Sequence, residues 1–103
     1  MVDIKKEGEK TVVTIQGDMN IYNAQDIVSS LRAVDMSSFK ALEMDLSNVS
    51  EFDSSGFQII VALKKHCEGQ SIVFTIKEMS DSVKGLFNLY RVSGHFSISG
   101  GND

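Results

Sequence analysis

The chain has 103 residues, 42% of them hydrophobic and 23% charged, the size and balance of one globular domain able to bury a single core without staples. Ten Lys and Arg against fourteen Asp and Glu leave a net charge of −4, which excludes a basic field that collects phosphate backbones or anionic lipid, and with it a nucleic-acid partner. A lone cysteine, Cys67, rules out an internal disulfide and a Cys-based zinc site.

Met1 to Lys6 contains no apolar leader core, and no apolar run approaches the roughly 18 residues of a membrane span. A cytoplasmic protein without direct membrane insertion is expected. Val2 to Lys6 and Thr11 to Gln16 read as two strands joined by a charged turn at Gly8, and Asp18 to Asn20 follows as a loop. Asn23 offers an acceptor at a helix start, after which Ala24, Ile27, Val28, Leu31 and Val34 recur at helical spacing for about three turns. Ala41 to Leu46 alternates as a strand with Leu42, Met44 and Leu46 on one face.

A polar interruption then leads to Asp53-Ser-Ser-Gly56, which this pattern places at a strand-to-helix turn. Gly56, Ile59, Ile60, Leu63 and Cys67 fall on one arc of the following helix at about 100° per residue, predicting its core face. Phe57 and Val61 form a separate pair nearer Lys64 and Lys65, predicting partly exposed apolar surface. Gly69-Gln70 ends the helix, and Ser71 to Lys77 is an apolar, β-branched run expected to be a buried strand. Ser80 or Asp81 can cap a third helix carrying Val83, Leu86, Phe87 and Tyr90. Val92 to Ile98 is expected as a last short strand, and the polar tail from Ser97 as frayed, with about 99–103 disordered. The alternation predicts a single α/β domain over 1–103, with a mixed, mainly parallel sheet of four or five strands and three or four helices. Its N-terminal edge strand is left free to pair in a dimer.

Asp53-Ser54-Ser55-Gly56 has two readings of equal standing on residue chemistry alone. In one, Asp or Ser caps a helix and Gly allows close packing. In the other, a serine at a helix start carries a phosphate, whose charge of about −1.5 to −2 is stabilised by free N–H groups and the helix dipole. That dianion, beside Glu51, Asp53 and Asp18, would eject a partner docked on the turn and on Phe57 and Val61. Catalysis has no comparable support, and no enzyme is expected. Ser54 and Ser55 lie outside any Gly-x-Ser-x-Gly pattern, and His95 has no evident orienting acid. His66 and Cys67 are adjacent and diverge on a helix, two scattered histidines make no metal site, and no phosphate-binding glycine loop is present. No cofactor and no metal are expected.

The run Asp45-Leu-Ser-Asn-Val-Ser-Glu-Phe-Asp-Ser-Ser-Gly-Phe57 resembles the signature of the STAS domain, the fold of bacterial anti-sigma factor antagonists. Gly17-Asp-Met-Asn20 with Asn23-Ala24, and Ser80 to Phe87, resemble two further segments of that family. Asn20 replaces its usual Asp, Asn23 its Thr, Asp81 its Pro, and Leu89-Tyr-Arg91 its small-residue ending. The resemblance implies that Ser54, rather than Ser55, is the phospho-acceptor. It also implies a protein partner of the anti-sigma factor and serine-kinase type, released on phosphorylation, with a phosphatase to reset the switch. Asp18, Asn20, Asp53, Ser54, Ser55, Gly56, Phe57 and Val61 would form the partner-binding surface. The same family also supplies constitutive subunits of lipid-transport ABC complexes, which is the alternative reading.

Overall fold

Strand alternation sets the centre of the molecule. In the computed structural model, which describes residues 1–99, β2 (Lys10–Ile15) and β4 (Ala41–Leu46) lie parallel and adjacent, and both bury every second residue. Val13, Ile15, Leu42, Met44 and Leu46 are buried on that face. β1 (Val2–Glu7) adds antiparallel to β2, with Gly8 at a positive φ of 65° in the hairpin turn, a backbone region that glycine enters without Cβ strain. β6 (Val73–Met79) adds parallel to β4, giving the order β1-β2-β4-β6. The sheet is therefore mixed and mainly parallel, as the alternation predicted.

Three α-helices complete the domain: α1 (Ala24–Arg32), α2 (Ser54–Gly69) and α3 (Asp81–Tyr90). α2 buries Gly56, Ile59, Ile60, Leu63 and Cys67, the same five residues whose spacing marked its core face. α3 is capped by Ser80, whose hydroxyl accepts from Val83 N–H at 3.4 Å, and buries Val83 and Phe87. Among the described residues no helix is long and apolar enough to cross a membrane.

Several expectations are corrected. The loop at Asp18 is instead a short strand, β3 (Gly17–Met19), and the polar interruption contains β5 (Val49–Phe52); the two pair in parallel as a second sheet. The main sheet has four strands, within the expected four or five, and this two-stranded sheet is added to it. Of β5 only Val49 is buried, while Ser50 and Glu51 are exposed, so no alternation betrays the strand and its pairing comes from backbone bonds to a distant segment. α1 stops at Arg32 rather than near Val34. Its Asn23 does not accept from the helix N–H groups but donates from Nδ2 to the Asp18 carbonyl at 3.0 Å. β6 is an edge strand, not a fully buried one: Phe74 and Ile76 point inward while Val73 is 62% exposed. Beyond α3 the chain makes a single 3-10 turn, Ser93–His95, and one bridge, Ile98 to Ile76, in place of a strand. The segment at Ser97 to Ser99 is held, not frayed, because Ile76 N–H donates to Ser97 O and Ser99 N–H to Ile76 O, both at 2.8 Å. The expected tail at 100–103 lies outside the described residues.

Cys67 is fully buried, and burial together with the neighbouring Glu68 charge pushes its thiol from 9.0 up to about 11. Native protein is expected to resist alkylation by iodoacetamide near neutral pH and to be modified rapidly in urea, as read by intact mass. The folded pKa lies above the unfolded one. Stability from this group is therefore complete below pH 9 and is lost as pH rises towards 11, and Cys67→Ala should flatten that part of a stability-versus-pH curve.

Candidate functional site

Asp53 holds the start of α2. Its Oδ1 accepts from the Ser55 N–H at 2.9 Å and the Gly56 N–H at 3.2 Å, while Oδ2 accepts from the Ile21 N–H at 3.0 Å. One carboxylate thus caps the helix and tethers the loop between β3 and α1. Phe57 N–H donates to the Asp53 carbonyl at 3.0 Å and closes the first helical turn. The capping role is therefore filled by Asp53, which leaves the Ser54 side chain exposed at the first helical position and Ser55 half-buried. Two of the N–H groups that the sequence left free for an added phosphate are already taken by this carboxylate.

Gly56 is where the helix presses on the second sheet. A Cβ there would stand 2.4 Å from the Met19 carbonyl oxygen and 2.9 Å from the Phe52 ring. Parallel pairing of Met19 with Phe52 sets β3 beside β5, which brings Asp18 and Asn20 to the flank of Asp53. Asn20 is only 9% exposed. Its Nδ2 donates to Glu51 Oε1 at 3.0 Å, and its Oδ1 accepts from the Tyr22 and Asn23 N–H groups at 3.1 and 3.2 Å. Asn20 therefore shapes the loop from below rather than meeting solvent. Asp18 joins through its backbone carbonyl, the acceptor for Asn23.

Because of these tethers the loop turns its apolar residues outward. Ile21 is 66% and Tyr22 87% exposed, beside a groove lined by Asn20, Tyr22, Ser50, Glu51, Phe52, Asp53 and Ser82. Sequence reasoning overlooked both residues. The available signal was two large apolar side chains that fit neither the hairpin nor the α1 stripe, in a segment otherwise polar.

Phe57 and Val61 share one stripe of α2 with Ser54, all within about 60° on a helical wheel, and both are half-buried. The Phe57 ring is already engaged, meeting Phe87, Tyr90 and Phe96 edge-on at centroid separations of 5.5, 5.3 and 6.1 Å. No group of His, Cys, Asp or Glu among the described residues is arranged to hold a metal. A separate groove of about 400 Å³ between α1 and α2, lined by residues such as Leu31, Arg32, Ile59 and His66, shares no residue with the turn.

Asp53→Ala is expected to destabilise the fold by about 2 kcal/mol, since it removes a helix cap and leaves the Ile21 tether unmade. Asp53→Asn keeps an acceptor oxygen and should lose roughly half of that. Urea midpoints at unchanged slope would measure both.

A mixed α/β sheet with an exposed serine at a carboxylate-capped helix start defines a domain of the STAS class. The chain belongs to the STAS domain family: the family model described as "Mlab, STAS domain" matches residues 2–98. Solved structures agree in fold. An anti-sigma factor antagonist from Mycobacterium paratuberculosis superposes with a TM-score of 0.82 at 21% identity, covering 98% of this chain and 86% of that one. The anti-sigma factor antagonist SpoIIAA in its unphosphorylated form gives 0.75 at 13% identity, with 95% and 87% covered. A sulfate transporter family protein from Wolinella succinogenes gives 0.69 at 14% identity, with 90% and 79% covered. At these identities the likeness establishes a shared fold.

Proposed function

We propose that this chain is a partner-switching protein of the anti-sigma factor antagonist kind, a cytoplasmic binding module without catalysis of its own, controlled by phosphorylation of Ser54. The observation that carries this reading is the exposed Ser54 hydroxyl at the first position of α2, close to the uncovered Ile21 and Tyr22. Unmodified, the turn and this apolar loop bind a partner of the anti-sigma factor and serine-kinase type. Phosphate adds a charge of about −1.5 to −2. Asp53 already occupies the Ser55 and Gly56 N–H groups, so the new dianion stands beside a carboxylate and is left largely unneutralised. A desolvated partner surface then meets repulsion and leaves, and a phosphatase restores binding. Two anti-sigma factor antagonists that share the fold support this reading.

Pull-downs from the native host with wild type, Ser54→Ala and Ser54→Glu test it. Wild type and Ser54→Ala should recover a common partner, and Ser54→Glu at least about tenfold less of it. Equal recovery by all three would sink the switch. A second reading, a constitutive subunit of a membrane lipid ABC transporter complex, is favoured by the transporter family protein that shares the fold. Stoichiometric co-purification of a nucleotide-binding subunit, with no phosphate on Ser54 by mass spectrometry, would select it.

A further inference from the structure

The outer edge of β1 carries the features of a self-complementary strand. Met1 and Gln16 exchange both backbone hydrogen bonds, at 2.8 and 2.9 Å, and the β1–β2 register runs unbroken from Val2–Ile15 to Glu7–Lys10. In an antiparallel ladder, bonded and non-bonded pairs alternate. Asp3, Lys5 and Glu7 therefore bond inward to β2, while the N–H and C=O groups of Val2, Ile4 and Lys6 point away from it. All of β1 except Val2 is exposed, Ile4 to 36%.

We propose that this edge pairs antiparallel with the same edge of a second copy, joining two four-stranded sheets into one across a two-fold axis at Ile4. Outward bonding groups exist only on even-numbered residues, so the two strands must pair even with even. Three registers satisfy that and keep most of the strand matched. Setting Val2 opposite Ile4 puts Asp3 against its own symmetry mate, and setting Ile4 opposite Lys6 puts Lys5 against its mate and Asp3 against Glu7. The third, Ile4 opposite Ile4 with Val2 opposite Lys6, sets Asp3 of each copy against Lys5 of the other. Like charges directly opposite are unfavourable and opposite charges favourable, so the charge pattern selects the third register. These pairs occupy non-hydrogen-bonded positions, where side chains approach most closely. Neither Asp3 nor Lys5 has an ion-pair partner within the described chain. A two-fold contact of this kind is closed, so it ends at two copies, and Val2 to Glu7 includes no residue of the Ser54 site.

Sedimentation velocity over a concentration series tests the pairing. Wild type should shift from monomer to dimer with rising concentration, the more so at low salt because exposed ion pairs are screened. Asp3→Lys and Lys5→Asp should each weaken self-association about tenfold, by turning two attractive pairs into repulsive ones. Mixing these two variants should restore association, because each then presents to the other the charge its own copy repels. Ile4→Pro should abolish dimerisation while leaving circular dichroism unchanged, since the N–H it removes faces away from β2. A wild-type chain that stays monomeric at about 1 mM, or a mixture that associates no better than its components, would overturn the proposal.

Discussion

Gly56→Ala is expected to destabilise the protein by about 3 kcal/mol, although alanine is the better helix former. The new Cβ would sit 2.4 Å from the Met19 carbonyl oxygen and 2.9 Å from the Phe52 ring. Neither neighbour yields easily. Met19 is fully buried, and its carbonyl also accepts the Asp53 N–H at 3.3 Å, which fixes the oxygen at the base of the turn. For a domain of this size the loss corresponds to a fall in melting temperature on the order of 15 °C. Gly85, inside α3 with nothing within 4 Å of a built Cβ, supplies the opposite case. There Gly85→Ala should gain about 0.5–1 kcal/mol from helix propensity alone. Thermal unfolding of the two variants side by side separates contact from propensity, and a stabilised Gly56→Ala would refute the close approach.

Phe87→Ala is expected to cost about 4 kcal/mol, a large share of the stability of a small domain. Phe87 is fully buried, and its ring centroid stands 6.3 Å from Phe52, 5.5 Å from Phe57 and 5.1 Å from Phe96. These rings belong to β5, to the first turn of α2 and to the segment after the 3-10 turn, so the cavity would open where three pieces of chain meet. Loss of Phe87 should therefore also loosen the Ser54 turn, seen as faster amide exchange at Gly56 and Phe57 than at Leu42. Phe87→Leu fills most of the volume and should lose roughly 1.5 kcal/mol or less. Equal exchange rates in wild type and Phe87→Ala would show that the cluster does not support the turn.

These two residues show how differently parts of the site could be foreseen. Gly56 was legible as the first member of the α2 core arc, because helical periodicity places it with Ile59, Ile60, Leu63 and Cys67. Asp53 was legible as a cap from residue type and position. Phe57 was legible only in part. Its stripe beside Val61 predicted partly exposed apolar surface, which the half-buried state of both residues matches, but not the packing of the ring against α3 and the chain after it. Periodicity reports which way a side chain leaves its helix, not which distant element arrives to cover it. Ile21 and Tyr22 went unnoticed for the converse reason. Apolar type suggests burial, but Asn20 and Asp53 hold the loop backbone so that both side chains turn outward.

Sequence by itself determined the central strands, the core face of α2 and the position of Ser54 at a helix start, since each is written in local periodicity or capping chemistry within one segment. Only the tertiary structure decided that β3 and β5 exist and pair, with Met19 opposite Phe52. Those strands are too short and too polar to alternate, and their hydrogen bonds join segments some thirty residues apart. The same long-range pairing seats Asp53 between helix and loop. In a stretch that read equally as cap or as site, it makes Asp53 the cap and leaves Ser54 exposed at the surface.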